Sequence, residues 1–291
     1  VRSEKIDALP KLFVRNLKSN IEKELLISDE VLINPSVSLM QKDRKTNKLR
    51  IGYESPKTPL RTYEYDIVTK EKKLVKELEI PSGYDRNNYI VKRINCDAHD
   101  NRKIPITIIH HKDTKLDGTS NLILYGYGSY GYSVPTNFSS ARLSLIDRNI
   151  IWAIAHIRGG MERGMKYWEE GKMLNKKNTF KDYIATANFL INKKYTSKGK
   201  IIGMGGSAGG LLMGAVVNEV PEIFLGMVMA VPFVDSLTTN LDHSLPLTVG
   251  EFDEFGNAKE NKEHFDYIFS YAPYNNIKKM DYPHIFITTS L

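Results

Sequence analysis

At 291 residues, 41% hydrophobic and 26% charged, the chain has an ordinary globular composition, with room for one large domain or two smaller ones. The net charge of +7 is spread over scattered lysines and arginines, densest in KEKK (70–73) and NKKN (175–178); it lacks the basic stripe with interleaved aromatics that nucleic-acid binding requires, so no nucleic-acid partner is expected and these lysines read as solvated. The single cysteine, Cys96, excludes an internal disulfide and fits a reducing, cytoplasmic setting, no run of about 18 apolar residues predicts a membrane span, and VRSEKIDALPKLF carries charges where a signal peptide has its apolar core.

Taken in chain order, residues 1 to about 95 hold short alternating runs. KLRIGYES (48–55), RTYEYDIV (61–68) and KLVKELEI (73–80) read as strands, punctuated by Pro56, Pro59, Pro81 and Gly83. They predict an antiparallel meander. From about residue 104 the pattern changes. PITIIHH and NLILYGYG (121–128) are β-rich, and NIIWAIAHIRGG (149–160) is the nearly continuous apolar run of a strand buried on both faces. In KNTFKDYIATANFLINKKY (177–195), Phe180, Tyr183, Ile184, Ala187, Phe189, Leu190 and Ile191 make a helical face, with Thr179 and Asp182 as a capping pair. A strand KIIGMGG, a helix from Ala208, and apolar strands in LGMVMAVPFVD (225–235) and HIFITTSL (284–291) follow. Strands alternating with helices predict a mostly parallel sheet flanked by helices, an α/β fold.

Gly205-Gly206-Ser207-Ala208-Gly209 lies at the junction of one such strand and helix. A lone G-x-S-x-G is weak, arising by composition in roughly a tenth of chains of this length. The strand–turn–helix setting is what a nucleophile elbow requires. The glycines keep the sharp turn free of side chains, and the helix N-terminus directs N–H groups at a developing oxyanion. The alternative is a glycine-rich phosphate turn, but the lysine of a Walker motif and the spacing of a dinucleotide fingerprint are both missing.

LYGYGSYG (124–131), AHIRGGMERGMKYWEEGKMLNKKNTFKDY (155–183), GGSAGGLLMGAVVNEVPEIF (205–224) and VPFVDSLTTNLDHSLPLTVGEFDEFGN (231–257) together resemble the prolyl oligopeptidase family of serine peptidases, in particular its oligopeptidase B branch. The resemblance covers about residues 45–291. It implies an α/β-hydrolase domain over residues 96–291, preceded by the last blades of a β-propeller over 1–95. It implies that Ser207 is the nucleophile, and that the Ala208 N–H and the Tyr127 hydroxyl are oxyanion donors. Glu251 and Asp253 fall where that branch binds a P1 Arg or Lys, with Phe252 and Tyr130 placed beside them on the substrate side. Asp253 stands where Glu is expected, shortening the reach by about one methylene. Phe252 and Phe255 either wall the pocket or anchor its loop. Short basic peptides are the implied substrates, and no metal or organic cofactor is expected.

The family orders its triad Ser…Asp…His, and its acid follows a strand like HIFITTSL. The acid and histidine are therefore expected beyond residue 291, with the sheet incomplete at its C-terminal side. His243, His264, His284 and Asp235 do not occupy the family's positions and read as structural. Loss of triad members costs on the order of 10⁴–10⁶ in rate. The isolated chain is thus expected to be a segment that either needs a complementing C-terminal polypeptide or is inert. A broader esterase or acylaminoacyl-peptidase-like hydrolase is the other enzymatic alternative, against which the acidic GEFDEFG segment argues.

Overall fold

The first strands lie largely at the surface, with Leu12 the buried position of the second. In the computed structural model, which describes residues 1–6, 8–25, 27–30, 32–38 and 46–290, β1 (Arg2–Ile6), β2 (Leu9–Arg15) and β3 (Glu22–Glu24) form one antiparallel sheet. β4 (Asn34–Ser38), β5 (Lys48–Ser55), β6 (Thr58–Asp66) and β7 (Lys72–Glu77) form a second, also in chain order. The strand expected at 48–55 is β5 at those limits. Leu12, Leu25 and Ile27 share one apolar cluster with Ile51 and Tyr53, so the two meanders bury a common seam.

The main sheet contains β8 (Tyr89–Asp97), β9 (Lys103–His111), β10 (Leu122–Tyr125), β11 (Ile151–Ala155), β12 (Ile201–Gly206), β13 (Phe224–Ala230) and β14 (His284–Thr288). Its order is β14-β13-β12-β10-β11-β9-β8. β8–β9 and β9–β11 are antiparallel, and the other neighbours are parallel. The sheet begins at Tyr89, which pairs with His111, so the division expected between residues 95 and 96 runs through β8. The last strand ends at Thr288, short of the expected 284–291 run, of which Leu291 lies outside the described residues.

The helices are α1 (Ser140–Ile146), α2 (Met165–Glu169), α3 (Lys177–Asn192), α4 (Ala208–Glu219), α5 (Ser236–Leu241), α6 (Phe252–Phe255) and α7 (Lys262–Phe269). Alternation along β9 and β11 assigns the faces. Ile108 and Ala153 join Phe180, Tyr183, Ala187 and Leu190 of α3 and Leu211 and Leu212 of α4. Ile109 and Trp152 meet Leu143 and Ile146 of α1 in a separate cluster. Each fully buried Leu, Ile or Phe contributes roughly 1.5–3 kcal/mol, which fastens helices to both faces. No helix among the described residues is long and apolar enough to cross a membrane.

The expected cap on α3 is corrected. The 3-10 turn Met173–Asn175 runs directly into α3, whose preceding residue Lys176 already has helical backbone and makes no side-chain cap. Thr179 and Asp182 therefore lie inside the helix and serve tertiary contacts. Thr179 Oγ1 lies 3.0 Å from the Arg158 carbonyl, and Asp182 accepts from Arg158 Nε at 2.8 Å and from its second terminal nitrogen at 2.6 Å.

Candidate active site

Parallel pairing of β10 with β12 sets Tyr125 opposite Met204, so the turns that leave both strands emerge side by side. This is where open α/β sheets place their ligands. One turn carries Tyr127 and the other Ser207. Gly126 N–H donates to the Met204 carbonyl at 3.1 Å, tying the turns together.

Ser207 is exposed and sits at the N-terminus of α4 with φ 54° and ψ −120°, a region that side chains rarely occupy. Its backbone is held on both sides: its N–H donates to the Ala230 carbonyl at 2.9 Å, and its carbonyl accepts from Phe233 N–H at 3.0 Å and Gly210 N–H at 2.8 Å. A Cβ on Gly205 would collide with the Gly209 carbonyl, and one on Gly209 would meet the Gly126 carbonyl oxygen at 2.8 Å and the Tyr127 ring at 3.3 Å. Only glycine lets strand, helix and Tyr127 turn come this close. Ala208 is buried and is the first residue of α4, so its N–H has no acceptor within the helix.

Tyr127 is half-buried. Burial raises its pKa, and the neighbouring Ser207 hydroxyl pulls it down. The phenol therefore stays protonated at neutral pH, on the turn that runs against Gly209 of the Ser207 elbow. Its ring meets Tyr132 edge-on at 5.2 Å and Tyr130 at 6.3 Å. Tyr130 holds a left-handed φ of 58°, packs edge-on against Phe255 at 5.8 Å and donates to Glu251 Oε1 at 2.8 Å. Burial raises the Glu251 carboxyl above the usual range; the Tyr130 hydrogen bond opposes this, and the charge of Glu254 adds to it.

The structure thus gathers Ser207, Ala208 and Tyr127, and joins Tyr130 to Glu251. It treats Phe252 and Asp253 differently. The Phe252 ring lies 5.1 Å from that of His243, which anchors the loop, while the buried Phe255 sits between Tyr130, edge-on, and a tilted Phe233. Asp253 is exposed, and no hydrogen bond or ion pair joins it among the described residues.

The expectation that the NKKN lysines are solvated fails at Lys176, which is only 1% exposed. Its Nζ donates to Gly128 O at 2.7 Å, Ser129 Oγ at 2.6 Å and Glu254 Oε1 at 3.2 Å. Neither Lys176 nor Glu254 stands out in the sequence; each is one charge among neighbours of the same sign. His264 accepts the Asn257 N–H at 3.1 Å, and His284 opens β14 opposite Gly226.

The sheet order, the flanking helices and the strand–turn–helix at Ser207 define an α/β-hydrolase. Residues 136–291 match the profile of the prolyl oligopeptidase family. Dipeptidyl aminopeptidase BI of Pseudoxanthomonas mexicana is 41% identical over the whole chain and 40% of its own length, and protease 2 of Moraxella lacunata is 42% identical over 90% of the chain and 38% of its own length. Oligopeptidase B of Leishmania major superposes with a TM-score of 0.89 at 37% identity, covering 98% of this chain and 41% of that one. Oligopeptidase B of Trypanosoma brucei, solved with covalently bound antipain, gives 0.89 at 39% identity over the same shares. The chain belongs to the prolyl oligopeptidase family, as an α/β-hydrolase preceded by propeller-type antiparallel sheets. It spans about 40% of the length of these relatives.

Proposed function

We propose that the chain carries the nucleophile, the oxyanion donors and the P1 recognition of a serine endopeptidase of the oligopeptidase B type, which cleaves short peptides after Arg or Lys. The observation that carries this is the Tyr127 turn packed against the Ser207 elbow, three residues before a Tyr130 that holds the Glu251 carboxylate at 2.8 Å. Ser207 Oγ bonds to the peptide carbonyl carbon as its proton passes to a base. The carbonyl electron pair moves onto oxygen, which accepts from Ala208 N–H and Tyr127 O–H. Collapse of the adduct breaks the C–N bond, the amine leaves with the proton, and water hydrolyses the acyl-Ser207. A guanidinium or ammonium on the substrate pairs with Glu251, and Asp253 supplies a second, solvated charge at the mouth. Phe252 supports the loop from behind.

His243 packs on Phe252 and His264 accepts the Asn257 N–H, so in this reading neither is the base, which a complementing polypeptide supplies together with its acid. The same engagement favours a second reading, in which the chain alone is a folded but non-catalytic segment. The esterase alternative leaves the Tyr130–Glu251 pair without a role. The single buried thiol fits a cytoplasmic location.

The test is hydrolysis of short fluorogenic amides ending in Arg, Lys or Ala. The purified protein is assayed alone and with any C-terminal polypeptide expressed from the same locus, beside Ser207→Ala and Glu251→Gln. The proposal expects no activity in Ser207→Ala and loss of the preference for Arg in Glu251→Gln. Equal cleavage after Arg and Ala in an active preparation removes the P1 assignment.

A further inference from the structure

We infer that Lys176 and Glu254 form a positioning pair that fixes the oxyanion turn relative to the acidic helix α6. The inference rests on the function proposed above for Tyr127 and Glu251. Lys176 reaches the back of the turn that carries Tyr127: its ammonium spends two donors on Gly128 O and Ser129 Oγ and the third on Glu254 Oε1, so all three are used. Glu254 closes the set by accepting from Trp168 Nε1 at 2.8 Å through its other oxygen. Lys176, Ser129 and Glu254 are all buried, which leaves no water to substitute for a lost partner. The Lys176 ammonium also lies 5.3 Å from the centre of the Phe255 ring, against which Tyr130 packs. Residues 128–130 and 251–255 are thus held to one another by charge as well as by aromatic packing.

A buried ion pair is a poor source of stability, because desolvation offsets most of the Coulombic attraction, and an apolar replacement of both partners is often neutral. What an apolar pair cannot supply is three directed hydrogen bonds between two loops. The pair therefore acts on placement: Tyr127 and Glu251, which do not touch, keep a fixed separation because Lys176 holds Gly128 and Ser129 on one side and Glu254 on the other.

Amide hydrogen exchange of the 291-residue chain tests this without requiring turnover. In the double variant Lys176→Met/Glu254→Leu, which leaves Ser129 Oγ and Trp168 Nε1 without their partners, the melting temperature is expected to fall, but by less than in Lys176→Met, where a buried carboxylate is stranded as well. Exchange in the peptide spanning 126–134 rises at least tenfold, while the peptide spanning 208–217 is unchanged. Lys176→Met alone, which leaves Glu254 buried without its partner, lowers the melting temperature further. Parent-like exchange over 126–134 in the double variant overturns the inference. In the amide hydrolysis assay the double variant lowers kcat for Arg and Ala substrates alike and raises KM for Arg only. If Glu251→Gln leaves the Arg preference intact while exchange over 126–134 still rises, the P1 assignment fails and the positioning role stands.

Discussion

The Tyr130 phenol reaches across 121 positions of sequence to donate a 2.8 Å hydrogen bond to Glu251 Oε1. It ties the residue three places after Tyr127 to the carboxylate proposed to meet a cationic side chain.

A pH limb follows. Burial raises the Glu251 carboxyl above its ordinary 4.5, with the Tyr130 bond working against the rise. Only the carboxylate attracts a cation, so affinity for agmatine is lost as pH falls through this raised value, at a higher pH than for an exposed glutamate. Tyr130→Phe removes the opposing bond and moves the limb to higher pH still. Glu251→Gln weakens agmatine roughly tenfold to a hundredfold at neutral pH, the worth of a charged hydrogen bond. Calorimetric titration between pH 4.5 and 8 checks all three; a limb that stays put in Tyr130→Phe counts against the coupling.

The backbone at Ser207 is strained, with φ 54° and ψ −120°. Such geometry costs on the order of 1–3 kcal/mol in a side-chain-bearing residue, and glycine gives back part of that relief through its freer unfolded chain. Ser207→Gly is therefore expected to stabilise the protein by about 1 kcal/mol in urea unfolding, whereas Ser207→Ala, which keeps a Cβ, gains little. A destabilised Ser207→Gly would contradict the strain.

Arg158 is 1% exposed and is bound by both oxygens of the buried Asp182, with Asp100 at 2.6 Å from its remaining terminal nitrogen. Asp182→Ala leaves a buried guanidinium short of its main partner and is expected to cost about 3–5 kcal/mol. Asp266→Ala removes the exposed i,i+4 pair with Lys262 and is expected to cost no more than ~0.5 kcal/mol. Chemical denaturation of the two variants side by side measures the contrast.

His156 is buried between Thr107 Oγ1 at 2.8 Å and Glu162 Oε1 at 3.1 Å. Burial outweighs the attraction of Glu162, and Arg93 and Lys5 add to it, so the imidazole titrates below its ordinary 6.5. As pH falls through 6.5 the unfolded chain takes up a proton that the folded one does not, so stability declines on the acid side, approaching ~1.4 kcal/mol per pH unit from this group. His156→Gln is expected to flatten the slope between pH 7 and 5.5; an unchanged slope assigns the acid sensitivity to other groups.

What could be read from sequence was local. β5 is legible at its limits because KLRIGYES alternates and Pro56 stops it. Ser207 is legible because its strand, turn and helix are contiguous. β8 escapes because Lys92 and Arg93 interrupt its apolar positions, and α1 because seven residues carry too few turns to show a period. Thr179 and Asp182 imitate a cap in sequence, and only the turn at Met173–Asn175 shows that the helix had already begun. Lys176 and Glu254, separated by 78 positions, become partners only through the packing of α6 against the residues that precede α3.

The placement of β10 between β11 and β12 also sets an order of events in time. Neither parallel neighbour can be reached by a hairpin: Leu122 waits for Ile151 on one side and Ile201 on the other, each across a long crossover whose closure entropy is paid before any pairing rewards it. The β8–β9 hairpin, closed by a short turn between Asp97 and Lys103, needs no such wait. During refolding the antiparallel edge is therefore expected to form early in this sheet, with Tyr127 meeting Ser207 once the central parallel strands close. A chain arrested before that step carries Tyr127 and Ser207 without bringing them together.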